Sequence, residues 1–258
     1  MALEHTILYI IIFLYGIVIG SFLNVCMFRI PENESIVRVG SHCMKCGHPL
    51  RWIDLFPLFS WLFLRGRCRY CGAKISAQYP IVEFVNAVLY IIIFAVNGFN
   101  VDSVLYCVMT SALFVISVID YRTMLIPTAA DLIILVVGII HLVLHLNTWY
   151  YWLIGFASAG LFLLFCAVMF RAVTGKGGLG LGDIELMACA GLCIGWGHGL
   201  FAIVIGSLLG LLTEGIKIAV TGKKGKFPFG PYLSLGVYVS MLFGSQAYEW
   251  YLHTFLMM

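Results

Sequence analysis

Residues 103–122 read SVLYCVMTSALFVISVIDYR, an uncharged run that ends abruptly on Asp120. Such a run is about as long as a helix needs to cross a hydrocarbon layer, and its apolar residues leave no polar face. It therefore reads as a membrane helix and not as a strand or a half-exposed helix. Working outward, the same pattern recurs at residues 7–28, 80–97, 131–146, 151–170, 183–197, 199–216 and 232–252. The expectation is an all-α, polytopic membrane protein with about eight transmembrane helices. Composition agrees: 62% of the 258 residues are hydrophobic and 10% are charged, where soluble domains run near ~45–50% and ~25%. An ordinary soluble domain is excluded, and the lipid bilayer is the expected solvent. With a net charge of only +3, no nucleic-acid partner is expected. The first run is read as a retained helix, because residues 1–5 carry Glu4 and no basic residue ahead of it.

Orientation follows from the basic residues. All 15 Lys and Arg fall in four segments: residues 29–74, Arg122, Arg171 with Lys176, and residues 217–226. Eight spans put all four on one side, which the positive-inside rule makes the cytoplasm, with both termini outside. The opposite connections, 97–102, 146–151 and 195–199, carry no basic residue, and Trp149, Trp152, Trp196 and Trp250 suit an outer aromatic belt.

Residues 29–79 form the only sizeable extramembrane stretch, too short for a strong core of its own. Within it, 21 residues separate Cys43-Met44-Lys45-Cys46 from Cys68-Arg69-Tyr70-Cys71, and each knuckle is followed by a glycine, Gly47 or Gly72. That spacing suits four thiolates on one tetrahedral zinc, a closed shell that holds a fold and leaves no position for substrate. The competing reading is free thiols or two disulfides, which a cytosolic setting disfavours. Cys26, Cys107, Cys166, Cys189 and Cys193 read as small packing residues within spans.

Acids at the edge of a membrane need a partner, water or a task. Asp120 closes the third run and Asp183 opens the sixth, so the topology puts both at the cytoplasmic face on different helices. Two close carboxylates share a proton, and the pair can activate a water for attack on a peptide carbonyl, one as base and one as acid. Gly180 and Gly182, in the glycine-rich approach to Asp183, are candidate substrate contacts where an extended backbone finds no bulk. The plainer alternatives are an Asp120–Arg122 pair and Asp183 as a helix-start acid. Glu83, Asp131, Glu185 and Glu214 read as a group as partners for Lys, Arg and backbone. His141 and His145, four residues apart, have metal-ligand spacing but no evident acidic partner, and are read as interfacial.

These residues together resemble the type IV prepilin peptidases, membrane aspartic peptidases with a GxGD motif. The resemblance is carried by Gly20-Ser21-Phe22-Leu23-Asn24-Val25, Arg29-Ile30-Pro31, the two cysteine knuckles, Tyr79-Pro80-Ile81-Val82-Glu83, Asp120 with Ile126-Pro127, Gly180-Leu181-Gly182-Asp183, and Pro228-Phe229-Gly230-Pro231. It implies Asp120 and Asp183 as the catalytic pair in the bacterial inner membrane. It also implies prepilins or pseudopilins as substrates, cut after a Gly that ends a short basic leader. N-methylation of the new terminus with S-adenosylmethionine is implied as well, linked to residues 1–100, with residues 101–258 as a six-helix peptidase domain. Glu83 matches the family pattern and is a candidate substrate contact. Where the family often has an acid after the Ile-Pro, this chain has Thr128, with Asp131 three residues on. Two other classes compete: a transporter with the acids as a proton relay, and a zinc-stabilised scaffold without chemistry. No oligomeric state is legible.

Overall fold

Each of the eight apolar runs forms a helix in the computed structural model, which describes residues 2–38, 40–175, 177–222, 225, 227–251 and 253–254. Of the residues named above, Lys176, Lys223, Lys224, Lys226 and the last of the final run, Leu252, lie outside the described residues. No strand occurs among those described. The chain divides into two compact units, Met1–Phe99 and Asn100–Met258.

The first unit holds α1 (Ala2–Arg29), the short α2 (Phe59–Phe63) and α3 (Gln78–Asn97). Gly16 and Gly20 share one face of α1, where a helix repeats every three to four residues. A Cβ on Gly16 would lie 2.5 Å from Ala87 Cα and one on Gly20 2.7 Å from Glu83 Cα, so only glycine lets α1 and α3 meet. Small residues at such crossings are how helices pack where water offers no driving force. Side-chain amides complete the seam: Asn86 Nδ2 donates to the Gly16 carbonyl at 2.8 Å and Asn24 Nδ2 to that of Tyr79 at 3.1 Å.

The second unit holds α4 (Val101–Thr123), α5 (Thr128–Leu144), α6 (Trp149–Thr174), α7 (Leu181–Ile194), α8 (Trp196–Thr221) and α9 (Gly230–Tyr251). Asn100 caps α4 by accepting from the Ser103 N–H at 2.8 Å. At its other end Met124 takes a left-handed φ of 55°, and Pro127 then leads into α5. Among the apolar windows of this unit, α4 is 61% buried and α6 22%, which makes α4 central and α6 peripheral. Met109, Ile116, Ile134, Leu186, Met187, Leu233 and Val237 form the core between α4, α5, α7 and α9. Outside it, Leu161, Phe165 and Val168 of α6 stand exposed, an apolar surface suited to lipid.

Five helices are long and apolar enough to cross a membrane, namely α1, α3, α4, α6 and α8, and α5 is a shorter apolar helix. The 14 residues of α7 extend only about 21 Å, less than the ~30 Å hydrocarbon thickness. It is short because Gly180 starts it and Gly195, at φ 80°, ends it. The next helix begins at once at Trp196, so the connection expected over 195–199 is a single glycine and the seventh run starts three residues early.

Where α6 crosses α7, a side chain on Gly155 or Gly191 would run into the other's backbone. Gly191→Val should therefore destabilise the protein by about 1–3 kcal/mol through overpacking. Gly215→Ala on α8, with nothing within 4 Å of a new Cβ, should be neutral or stabilising by up to ~1 kcal/mol. Thermal unfolding in detergent checks the pair, and equal melting temperatures for both variants would refute the close crossing.

Candidate functional site

Asp120 lies in the last turn of α4 and Asp183 is the third residue of α7; both are buried. Each carboxylate is held by a backbone N–H at the start of a helix, where donors have no partner within the helix. Gly230, the first residue of α9, donates to Asp120 Oδ2 at 2.9 Å. Gly180 donates to Asp183 Oδ2 at 3.3 Å, so Asp183 reaches back over the start of its own helix. The reading of Asp183 as a helix-start acid thus holds, and it is compatible with a second task.

Glycine is required beside both. A Cβ on Gly230 would lie 2.8 Å from Asp120 Oδ2, and one on Gly182 2.9 Å from Ile126 Cβ. The second contact seats the start of α7 against the Ile126-Pro127 connection that follows Asp120. Asp183 stands within electrostatic reach of Asp120. Gly180 and Gly182, expected as substrate contacts, touch residues of the site itself: Asp183 Oδ2 lies 3.1 Å from a Cβ on Gly180.

Asp131 departs from its reading as a partner for a basic residue or backbone. It is buried on α5, its Oδ1 has no hydrogen-bond partner, and its electrostatic neighbours are Glu185 and Asp183. The start of α5 thus brings a third carboxyl to the pair, although Thr128 occupies the position where the family often has the acid. Glu214 pairs with Lys217 at 3.0 Å, as expected. Glu83 belongs to the first unit, where its Oε2 accepts from the Leu58 N–H at 2.7 Å. It ties residue 58 of the loop to α3.

The four knuckle cysteines converge as the spacing predicts. One sulfur from each lies within 4.8 Å of the others, and Cys43 Sγ is 3.9 Å from Cys71 Sγ. Zn–S bonds of ~2.3 Å would separate tetrahedral sulfurs by about 3.8 Å. The two knuckles have the same backbone pattern. Cys43 N–H bonds to His48 O and Gly47 N–H to Cys43 O, at 3.0 and 2.8 Å; Cys68 N–H bonds to Ala73 O and Gly72 N–H to Cys68 O, at 2.8 and 2.9 Å. Gly47 and Gly72 carry the positive φ, 67° and 69°, that closes each turn. Cys46 and Lys45 N–H groups hold the Cys43 thiol down at about 6. The Cys71 thiol, although the Ala73 N–H lowers it, is pushed up to about 11 by burial and its three thiol neighbours. Four sulfurs converging on one centre form a donor group that a dication completes. Arg69, beside the second knuckle, bonds Asp54 at 2.7 Å.

His141 and His145 are not without an acid: Asp102, from the start of α4, meets both. Asp102 is the site residue the sequence reading missed, whereas Ile126 and Gly230 were named there as motif residues without their contacts to Gly182 and Asp120. Nothing near Asp102 in the sequence marked it as a partner for the two histidines.

Residues 14–97 match the bacterial peptidase A24 N-terminal domain and residues 107–214 the type IV leader peptidase family. The chain is similar to the prepilin leader peptidase/N-methyltransferase of Aeromonas salmonicida, 32% identical over 95% of this chain and 94% of that one. It is similar to those of Bacillus subtilis, 33% identical over 94% and 97%, and Pseudomonas putida, 30% over 90% and 90%. No solved structure matches it significantly. With helices that can cross a membrane, a buried aspartate pair and likeness along nearly its whole length, the chain belongs to the type IV leader peptidase family of membrane aspartic peptidases.

Proposed function

We propose that this protein cleaves the basic leader from prepilins or pseudopilins at the cytoplasmic face of the inner membrane and then N-methylates the new terminus. The observation that carries the peptidase reading is the pair Asp120 and Asp183, brought into electrostatic reach from two helices and each held by a backbone N–H donor. The confinement of the basic residues to four segments supports the cytoplasmic assignment. A leader kept in the cytoplasm by its charge, followed by an apolar pilin helix in the membrane, puts the scissile bond at the membrane edge.

In this reading one aspartate is ionised and the other protonated. Water attacks the carbonyl carbon of the Gly that ends the leader. The ionised aspartate takes the water's proton while the neutral one hydrogen-bonds the carbonyl oxygen and protonates it. The tetrahedral intermediate then collapses: a proton passes to the amide nitrogen, the C–N bond breaks, and leader acid and pilin amine leave. S-adenosylmethionine would supply the methyl group for that amine. In the first unit, an open depression lined by Trp52, Ile53, Phe56, Phe59, Ser60, Phe63 and Arg69 is our candidate for its place. Aromatic faces suit both a purine and a sulfonium cation. The cysteine cage would hold one structural zinc.

A proton-relay transporter is not favoured. Among the described residues, the carboxyls of the second unit stand at or within about two turns of helix ends, Glu214 of α8 paired with Lys217, and form no file through the middle of a span.

Asp120→Asn and Asp183→Asn should each lower prepilin cleavage by at least about 100-fold with normal membrane insertion. Gly230→Ala, which presses on Asp120, should lower it by about tenfold or more. Mass measurement of the product's N-terminus, with and without S-adenosylmethionine, reads cleavage and methylation together; near-normal cleavage by either Asn variant would exclude the dyad. Purified protein should carry one zinc in an all-sulfur shell, lost in Cys43→Ser/Cys68→Ser, and an absence of metal from the wild type would leave the cage a thiol cluster.

A further inference from the structure

At the end of α4 and α5 away from the aspartates stands a second group of metal-ligand side chains. Asp102 lies in the first turn of α4, and His141 and His145 lie in and just after the last turn of α5. Asp102 Oδ1 is 3.0 Å from His145 Nε2 and 3.6 Å from His141 Nε2, and one ligand atom from each residue lies within 4.8 Å of the others. Bonds of ~2.0–2.1 Å to zinc separate tetrahedral N and O ligands by about 3.3 Å, a value these two distances bracket.

Ion pairing and hydrogen bonding alone leave His141 unexplained. Its side chain is 2% exposed, its Nδ1 has no hydrogen-bond partner, and its Nε2 stands beyond hydrogen-bond length from Asp102. The Nε2, turned to Asp102 but short of a hydrogen bond with it, is the atom that a metal between the two residues would take. Trp152 walls the site, its ring 4.5 Å from that of His141, edge-on, and 5.8 Å from that of His145. On the open side Asp102 and His145 are 33% and 38% exposed, which gives an ion a path in.

We propose that Asp102, His141 and His145 form a binding site for a divalent transition metal that closes the open end of the α4–α5 hairpin. Two imidazoles and one carboxylate are borderline ligands that suit zinc, cobalt, nickel or copper. A single carboxylate is too little for calcium, which takes six to eight oxygens. Three protein ligands leave a position for water, unlike the closed cysteine cage.

The proposal stands apart from the peptidase reading, because its test reads metal and not cleavage. The full chain in detergent, stripped of loosely held metal, is titrated with Co(II). The expected result is a d–d spectrum without sulfur charge transfer, one equivalent beyond whatever the cysteines bind. Its affinity should fall by tenfold or more in His145→Gln and Asp102→Asn, with the sulfur-bound spectrum unchanged. X-ray absorption on zinc-loaded wild type decides without any variant: a site with two imidazoles and light-atom ligands supports the proposal. Uptake confined to sulfur, or a non-sulfur site untouched by either substitution, overturns it.

Discussion

The hydrogen bond from the Gly230 N–H to Asp120 Oδ2 joins residues 110 positions apart, the end of α4 to the start of α9. A buried carboxyl in a membrane protein must find donors within the protein. A lysine or arginine would satisfy it most strongly, and would also hold it ionised. A backbone N–H at a helix start satisfies it while leaving the proton free to come and go. Asp183 has the same solution on its own helix through Gly180. Two acids treated alike, each with a backbone N–H donor, suit the shared proton that the proposed reaction needs.

That arrangement dictates much of the local packing. The N–H of Gly230 reaches Asp120 only because no Cβ intervenes, and α7 carries Asp183 to Ile126 only because residue 182 has none. On the far side of α7, Gly191 lets α6 lie directly on its backbone at Gly155. A helix that begins under a carboxylate and ends at Gly195 has no room to lengthen. The shortness of α7 follows from the demands at its two ends more than from its apolar content.

Much of this was legible in the sequence, for reasons that differ by residue. The apolar runs were plain because a membrane helix advertises itself by length, and the cysteine cage because its ligands sit in two local turns with fixed spacing. Asp183 was marked by its glycines. What could not be read were partners set by the packing of distant helices. The carboxylate for His141 and His145 comes from Asp102, about forty residues earlier, and lines up only once α4 and α5 are antiparallel. Asp131 looked like one more edge acid, because nothing in its neighbourhood in sequence says that its side chain faces two other acids. The seventh run was misplaced by three residues because a left-handed Gly195 turns the chain without any polar linker.

The α4–α5 hairpin therefore has two unlike ends. At one, residues 124–127 join the helices covalently, and Asp120 and Asp131 flank the join. At the other, 18 residues along α4, or about 27 Å at helical rise, no loop joins Val101 to Leu144, and Asp102 with His141 and His145 spans the gap. Two rods hinged at one end pass movement at the free end back to the hinge as a change of angle. The proposed catalysis by paired carboxylates would tolerate little such change, since a displacement of about 1 Å can cost 100-fold in rate. A firm contact at the free end thus bears on how steadily Asp131 and the connection carrying Ile126 sit against Asp183, although none of the imidazoles touches the aspartates.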